Sequence, residues 1–307
     1  WDWEVKNPIN TYDVTVNVGD YVLLHENYKG LDLDYYVLRD NEAKAKIHFE
    51  EVKPMMDCFQ SKFGEYPFKS DGYKLVETSY LGMEHQSAVA YGNKYKKGYL
   101  GMDLSGTGAG MFFDYITIHE TGHEWFGNSI TSKDIADMWI HEGFTTYTET
   151  VFIECVKGYE EALKYVNGQS RSVRNDRPII GQFGVNREGS GDMYPKGGNM
   201  LHSIRHSLNN DALFRGILRG LNSRFYHQTV TSAQVENYIS AQAKFNYGKV
   251  FDQYLRTTQI PMLEFYIENG KVFYQYKNCV DGFNLPLILK KGNVVLKVSP
   301  TTRLQSL

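Results

Sequence analysis

The sequence contains little cysteine, no long hydrophobic run and no excess of either charge. Only three of the 307 residues are cysteine: Cys58, Cys155 and Cys279. Their odd number and wide separation argue against a disulfide framework, and the apolar helical patterns around the first two predict buried thiols that bind no metal. No apolar stretch approaches the roughly 20 residues that a membrane-spanning helix needs. We therefore expect no transmembrane segment.

The charge balance excludes another class of partner. The 33 basic and 36 acidic residues give a net charge of −3 and an isoelectric point of about 6.3. Nucleic-acid-binding domains carry a clustered basic surface, whereas the short run Lys94, Lys96 and Lys97 is explained by a solvated turn. We expect no nucleic-acid partner. The apolar fraction of 42% predicts a well-buried globular protein, and the length allows one large core or roughly two to three domains.

A single HExxH motif, HETGH, is the most informative feature that is present. On a helix, residues four apart lie on the same face, so His119 and His123 can direct two imidazoles at one metal ion. Glu120, one position round, can take a proton from a metal-activated water. The alternative is an exposed helix with solvated side chains, but the apolar flanks at 111–118 and 125–126 predict burial. A metal would compensate the cost of burying these polar groups.

A third ligand is expected from the segment DMWIHEGFTTYTE, which predicts a loop that enters a helix. Glu142 follows the second histidine after a gap of eighteen residues, and in a first helical turn it can face back toward the HExxH helix. His141 is the alternative, because zinc sites with three histidines exist, but adjacent helical residues point in different directions. We therefore prefer Glu142. The metzincin extension is absent, since Phe126 and Ser129 occupy its glycine and histidine positions.

These segments resemble the M1 family of zinc aminopeptidases, which belong to the gluzincins. The run HETGHEWFGN at 119–128 and the run WIHEGFTTYTE at 139–149 carry the metal part of the resemblance. Two further segments are independent of the metal: LGMEH at 81–85 is similar to the family's GxMEN motif, and YPKG at 194–197 is similar to its YEKG motif. The resemblance extends from about residue 8 to residue 254.

The resemblance implies a zinc-dependent aminopeptidase that hydrolyses the N-terminal bond of peptides with a metal-activated water. One Zn²⁺ would be held by His119, His123 and Glu142, while Glu120 would accept the proton of the water and pass it to the leaving amine. Tyr194 would help to stabilise the oxyanion. Most of the 23 tyrosines are packing or surface residues, and only this one has the motif context. A proline replaces the acidic residue that follows it in the family, which a helix start tolerates.

The resemblance also implies how the substrate would be held. A carboxylate at a fixed distance from the metal can bind the free α-ammonium of a peptide, and Glu84 fits this role. The backbone of Gly82 and Met83 would pair with the substrate like an added strand. The alternative reading of Glu84 is an exposed strand carboxylate. The sequence departs from the family here, since Leu81 replaces a small residue and His85 replaces asparagine, and both changes fall at the first subsite.

Zinc-bound histidines usually donate their second ring N–H group to an oxygen. Thr146, one helical turn beyond Glu142, and Asn128 are the candidates for this supporting role. Two other functions remain open for the same residues. A zinc endopeptidase would use the same ligands with Glu84 merely lining the cleft, and a non-catalytic family member would bind zinc without turnover.

The expected architecture is α+β. The resemblance implies a thermolysin-like catalytic domain at 31–258, mostly helical after the zinc site, and a small C-terminal β-sandwich at 259–307. Residues 1–30 would be terminal strands at the junction with an N-terminal β domain that packs over the cleft and that this chain mostly lacks. Because the sequence opens on Trp1 rather than Met, we expect a mature or excised fragment. The segment GMEHQ resembles exported bacterial members, which favours the cell envelope or periplasm over the cytoplasm.

Periodicity and turn residues predict the individual elements. Strands are predicted at 11–24 and 73–84, and a helix at 40–63 that Pro54 interrupts. Further helices are predicted near 160–166, 196–208, 211–225, 232–243 and 249–257, and four strands at 263–267, 271–276, 285–289 and 294–298.

Overall fold

A mixed sheet of five strands forms the N-terminal part of the computed structural model, which describes residues 4–292 and 294–307. The first three residues of the predicted segment 1–30 and Asn293, which lies between the last two predicted strands, are outside the described residues. The sheet has the order β1-β2-β3-β5-β4, with β4 at one edge. Its strands are β1 (Tyr21–Tyr28), β2 (Leu31–Leu38), β3 (Tyr73–Glu77), β4 (Gly82–Met83) and β5 (Val89–Tyr91).

The pairing of the strands follows from their connections. β1 and β2 form an antiparallel hairpin whose turn residues, Lys29 and Gly30, have φ of 55° and 81°. Positive φ at both central residues is what a two-residue hairpin turn of type I′ requires. β3 and β5 run parallel to β2, and β4 is antiparallel to β5. Along β2, alternate residues from Leu31 to Val37 are buried, so one face of the strand packs on the core.

Three predicted elements differ from the structure. The strand prediction at 11–24 is correct only from Tyr21, where β1 begins, because Thr11–Asp13 is a 3-10 turn. The helix predicted at 40–63 is divided into α1 (Glu42–His48) and α2 (Val52–Phe63). The division precedes Pro54, which lies in the first turn of α2, where the missing N–H group costs no helical hydrogen bond. The strand predicted at 73–84 is two strands, β3 and β4, joined by a short loop.

Helices dominate residues 115–256. They are α3 (Tyr115–Gly122), α4 (Trp139–Lys157), α5 (Tyr159–Gln169), α6 (Pro195–Leu208), α7 (Asp211–Arg224), α8 (Ser232–Ala243) and α9 (Gly248–Arg256). The predicted helices after the HExxH motif agree with these bounds to within a few residues. A short parallel pair, β6 (Ile130–Ser132) and β7 (Gln228–Val230), links the loop after α3 to the segment after α7. Among the described residues, no helix has both the length and the apolar composition needed to cross a membrane.

The helix α4 lies at the centre of this helical region. Every residue from Trp139 to Ile153 is buried, and α4 packs against α3, α5 and α6. A helix buried on all sides needs neighbours that come close, and two glycines allow this between α4 and α6. A Cβ atom on Gly197 would lie 2.9 Å from Cα of Gly143, which is too close for a real contact. The backbones of the two helices therefore meet without an intervening side chain.

The prediction that all cysteines are unpaired is wrong. Cys58 of α2 and Cys155 of α4 form a disulfide, with their Cα atoms 6.1 Å apart and a sequence separation of 97. The bond forms because α2 packs against α4, a tertiary contact that the spacing of the cysteines does not reveal. Cys155 is also exposed rather than buried. Cys279 remains a free, half-buried thiol.

The C-terminal region contains the strands that the turn residues predict. β8 (Met262–Glu268), β9 (Lys271–Lys277) and β12 (Gln305–Ser306) form one sheet in the order β12-β9-β8. β10 (Leu287–Lys291) and β11 (Val294–Val298) form a separate antiparallel pair. The chain is thus a mixed α and β protein, with helices concentrated between residues 115 and 256.

Candidate active site

The HExxH residues lie on a short helix whose start is fixed by a buried cap. Asp114 precedes α3, and its carboxylate accepts a hydrogen bond from the backbone N–H group of Thr117 at 3.0 Å. His48 and Tyr91 hold the other oxygen of this carboxylate at 2.5 and 2.8 Å. The helix ends at Gly122, so His123 caps its C-terminus while still in helical conformation. This arrangement keeps both histidines on one face.

Three side chains converge where the sequence predicts a metal. The Nε2 atoms of His119 and His123 each lie 3.4 Å from Oε2 of Glu142, which is in the first turn of α4. Zinc bonds of about 2.0–2.1 Å at tetrahedral angles correspond to separations of about 3.3–3.4 Å between ligand atoms. The same oxygen of Glu142 is buried and has no hydrogen-bond partner among the described residues. Distances, donor types and this unpartnered atom all fit a zinc ion.

The electrostatics of the three groups also call for a cation. Burial alone would raise the pKa of Glu142, but the imidazoles of His123 and His119 outweigh it and hold that pKa well below its usual range. Burial opposes the charged form of His123, yet the carboxylates of Glu142 and Glu84 raise its pKa to about 9. The buried carboxylates around the imidazoles thus favour positive charge at this point, and a bound dication would supply it.

Both histidines are oriented through their second ring nitrogen. Nδ1 of His119 lies 2.6 Å from Oε1 of Glu149, a carboxylate that can only accept, so Nδ1 carries the proton and Nε2 is free for a metal. The other oxygen of Glu149 accepts hydrogen bonds from Tyr165 at 2.5 Å and Gln169 at 2.9 Å. Nδ1 of His123 lies 3.1 Å from the carbonyl oxygen of Phe126.

The two residues predicted for this supporting role do not perform it. Oγ1 of Thr146 is buried without a hydrogen-bond partner among the described residues, whereas its neighbour Thr145 lies 3.1 Å from Nδ1 of His123. Asn128 donates instead to the carbonyl oxygen of Glu84 at 2.8 Å. The Thr146 prediction failed because a one-turn spacing does not fix which face of α4 meets α3. The Asn128 prediction failed because the amide in the loop after α3 meets the carbonyl oxygen of Glu84 instead. Glu149 lies two turns beyond Glu142 on the same face, a spacing from which it could have been found.

His141, the alternative ligand, has its ring 6.5 Å from that of His123, but its Nε2 atom is engaged by a backbone group. Its Nε2 atom accepts a hydrogen bond from the backbone N–H group of Ser132 at 2.8 Å. Burial, together with the nearby His123, lowers the pKa of His141 to about 4, so the ring stays neutral. The described geometry brings Glu142 rather than His141 to the pair on α3.

Glu120 faces a second acidic residue across the cleft. Burial raises the pKa of Glu120 to about 7, and a cation nearby would lower it again. Side-chain atoms of Glu84, Glu120 and His123 lie within 4.8 Å of one another. β4 reaches this close to α3 because it contains Gly82, where a Cβ atom would lie 2.7 Å from Cγ2 of Ile116 and 3.2 Å from Oε1 of Glu120.

The segment LGMEH at 81–85 lies at the edge of the sheet beside these carboxylates. Glu84 is buried at 8% exposure, and Met83 and Gly82 form β4, which pairs with β5 on one side only. Sequence reasoning missed two neighbours of Glu84. The Tyr12 hydroxyl donates to its carboxylate at a long 3.4 Å, and Asp13 is buried with both carboxylate oxygens unpartnered among the described residues. No local pattern identifies these two positions.

Tyr194 stands at the other side of the three converging residues. It immediately precedes α6, which begins at Pro195, one residue before the predicted start, and its ring stacks on that of His119 with centroids 5.9 Å apart. Burial and the neighbouring Glu142 carboxylate raise the pKa of Tyr194 above its usual value. The phenol therefore stays protonated at neutral pH and is available as a hydrogen-bond donor.

Comparison with known proteins finds relatives of this chain. The chain is 26% identical over 242 residues to aminopeptidase N of Streptomyces lividans, a match that covers 71% of this chain and 27% of the relative. It is 24% identical to endoplasmic reticulum aminopeptidase 1 of Mus musculus over 74% of this chain and 26% of the relative. For the tricorn protease-interacting factor F2 of Thermoplasma volcanium, the identity is 22% over 95% of this chain and 40% of the relative.

Solved structures share the fold. An M1 zinc metallopeptidase of Deinococcus radiodurans, crystallised as a mutant with a Tyr-Ser-Ala substrate, superposes with a TM-score of 0.59 at 17% identity, over 79% of this chain and 52% of that one. A two-domain M1 zinc metallopeptidase mutant bound to L-tryptophan gives a TM-score of 0.58 at 20% identity, over 73% and 49% of the two chains.

The chain spans less than half the length of the curated relatives it matches, at 26% to 40% in these three. Within this chain, the family profile described as the peptidase family M1 domain matches residues 47–254. That range is about two thirds of the sequence, and it contains the HExxH helix, Glu142 and Tyr194. The chain therefore belongs to peptidase family M1.

Proposed function

We propose that this chain carries the active site of a zinc-dependent aminopeptidase that removes N-terminal residues from peptides. The observation that carries the proposal is the position of Oε2 of Glu142, 3.4 Å from Nε2 of both His119 and His123, beside a second acidic group. One Zn²⁺ held by these three residues would activate a water and polarise the scissile carbonyl.

The remaining residues have separate tasks. Glu120 accepts a proton from the attacking water and delivers it to the leaving amine. Tyr194 donates its phenolic hydrogen to the oxyanion that develops on the carbonyl, where one such donor is typically worth about 3 kcal/mol. Because its pKa is raised, the phenol does not lose this hydrogen at working pH.

Recognition of a free N-terminus rests on Glu84 and β4. The Glu84 carboxylate lies within 4.8 Å of side-chain atoms of Glu120 and His123, so it could accept a substrate α-ammonium beside the proposed metal site. The outer edge of β4, formed by Gly82 and Met83, has no strand partner among the described residues and offers backbone groups to an extended peptide. Peptides with a free N-terminus are the expected substrates.

The finer architecture belongs to the same proposal. Residues 31–258 would form a thermolysin-like catalytic domain and residues 259–307 a β-sandwich built from the two small C-terminal sheets. Residues 1–30 would form the junction with an N-terminal β domain that packs over the cleft. The side chain of Tyr12, which is 42% exposed beside Glu84, lies where such a domain would meet the site.

A panel of aminoacyl anilides, assayed with and without chelator, tests the proposal. We expect cleavage that a chelator abolishes and zinc restores. Glu120→Gln should retain zinc by elemental analysis and lose at least about 100-fold in kcat. An undiminished rate in this variant would disprove the role of Glu120.

Adding free and N-acetylated peptides to this panel separates the two alternatives. If N-acetylated peptides are cleaved as well as free ones, the protein is an endopeptidase and Glu84 does not select the N-terminus. Stoichiometric zinc without turnover of any substrate would instead identify a non-catalytic zinc-binding protein.

A further inference from the structure

Two buried hydrogen bonds join the segment around Glu84 to the segment that follows the HExxH helix. The carboxylate of Glu124 accepts the backbone N–H group of Ser87 at 2.8 Å. The side-chain amide of Asn128 donates to the backbone carbonyl of Glu84, also at 2.8 Å. Glu124 and Asn128 are 0% and 5% exposed, so water does not compete for either bond. We call this pair of hydrogen bonds the loop clamp.

The two halves of the loop clamp hold the backbone carbonyl of Glu84 itself and the backbone N–H group of Ser87, three residues further along the chain. Ser87 has a φ of +56°, a left-handed conformation that is unfavourable for a residue with a side chain. Such a conformation persists only where its surroundings hold it, and the bond to Glu124 is one such restraint. Tyr66 fixes the other oxygen of Glu124 at 3.1 Å, so the acceptor itself is immobile.

The partners of the loop clamp are close to a metal ligand in sequence. Glu124 is the residue after His123, and Asn128 lies in the turn after it, where its own backbone N–H group bonds the carbonyl oxygen of His123 at 2.9 Å. One short segment therefore holds both the second imidazole and the loop that carries Glu84. No long chain of contacts separates the imidazole of His123 from the loop that carries Glu84.

We propose that Glu124 and Asn128 are positioning residues that fix the distance between the metal ligand His123 and the ammonium-binding Glu84. This inference rests on the proposed function, because it assigns the residues that set where the substrate's N-terminus lies relative to the scissile bond. Because an aminopeptidase cleaves the bond after the first residue, this distance must match the length of one substrate residue. Loss of the loop clamp therefore weakens binding of the α-ammonium before it affects the metal.

Asn128→Ala and Glu124→Gln test the two halves in the full chain. Asn128→Ala removes the donor to Glu84, and we expect the KM for aminoacyl anilides to rise about tenfold with a smaller change in kcat. Zinc content should be unchanged. Glu124→Gln keeps an acceptor for Ser87 and should retain nearly wild-type kinetics, whereas Glu124→Ala should resemble Asn128→Ala. Hydrogen exchange at the Ser87 amide should accelerate only in Glu124→Ala.

Asn222→Ala is the matched control. Asn222 is similarly buried at 8% exposure, and its amide also donates to a backbone carbonyl, that of Leu218 at 3.1 Å. If Asn128→Ala changes KM no more than this control, the inference is overturned. It is also overturned if Asn128→Ala loses zinc in step with activity, because the residue would then support the metal rather than the loop.

A binding measurement distinguishes failure of the inference from failure of the proposed function. Free L-leucine carries an α-ammonium and N-acetyl-L-leucine does not, so calorimetric titration of zinc-loaded protein with each reports ammonium binding without catalysis. The loop clamp predicts that Asn128→Ala loses affinity for leucine alone. A wild-type protein that cleaves no aminoacyl substrate refutes the proposed function, while equal affinities of Asn128→Ala and Asn222→Ala for leucine refute the loop clamp.

Discussion

Replacing Glu149 by glutamine should weaken zinc binding without unfolding the site. Glu149 is fully buried, and its carboxylate accepts hydrogen bonds from Nδ1 of His119, from Tyr165 and from Gln169. Glu149→Gln keeps the size of the side chain but removes the negative charge that polarises His119. Loss of such an outer partner typically reduces metal affinity about 10- to 100-fold. Since a tenfold change corresponds to about 1.4 kcal/mol, the expected loss is about 1.4–2.7 kcal/mol of zinc binding free energy.

The assay is competition for zinc against a chromogenic chelator at neutral pH. Glu154→Gln is the control, because Glu154 also lies on α4 and is ion-paired with Arg205 at 2.5 Å. That substitution should lower thermal stability but leave zinc affinity within about twofold of the wild type. The reasoning is refuted if Glu149→Gln binds zinc as tightly as the wild type, or if both variants lose the same affinity.

Three further outcomes follow from the structure. Reducing the Cys58–Cys155 disulfide, whose cysteines are 97 positions apart, should lower the free energy of unfolding by up to about 4.7 kcal/mol, as measured by urea titration. An unchanged midpoint of the urea titration would contradict this. Gly82→Ala places a Cβ atom 2.7 Å from Ile116 and should reduce kcat/KM for aminoacyl anilides while zinc content is retained; full activity would show that β4 can move away. Burial and the Glu84 carboxylate raise the folded-state pKa of Asp13 to about 7, above the unfolded value of about 3.9. The proton on Asp13 therefore stabilises the folded state, and this stabilisation is lost as the pH rises through about 7. Asp13→Asn should therefore raise the melting temperature at pH 8 more than at pH 5, and an equal shift at both would refute it.

The local part of the site was predictable, because a helix fixes the geometry of residues four apart. His119, Glu120 and His123 needed only that rule, and Glu142 needed the additional expectation that a first helical turn faces back toward α3. Glu149 was missed although its two-turn spacing from Glu142 is a local signal. Residues that contact the site through loops, such as Tyr12, have no such signal in one sequence.

The errors in the fold have a common cause in tertiary packing. The number and spacing of the cysteines argued against a disulfide, yet the contact between α2 and α4 brings Cys58 and Cys155 together. Asn128 was predicted to support a histidine, but the path of the loop carrying Glu84 brings a backbone carbonyl to its amide first. In each case the partner lies on an element whose position no local pattern specifies.

The glycine contact between α4 and α6 has a consequence for how the site moves. Gly143 follows Glu142 directly, and Gly197 lies three residues after Tyr194, so the two backbones touch within one turn of both groups. With no side chain to act as a compressible spacer, the acid and the phenol travel as one rigid block. A displacement of α6 would therefore shift the phenol and the acid together, while the loop clamp keeps Glu84 tied to the segment of His123.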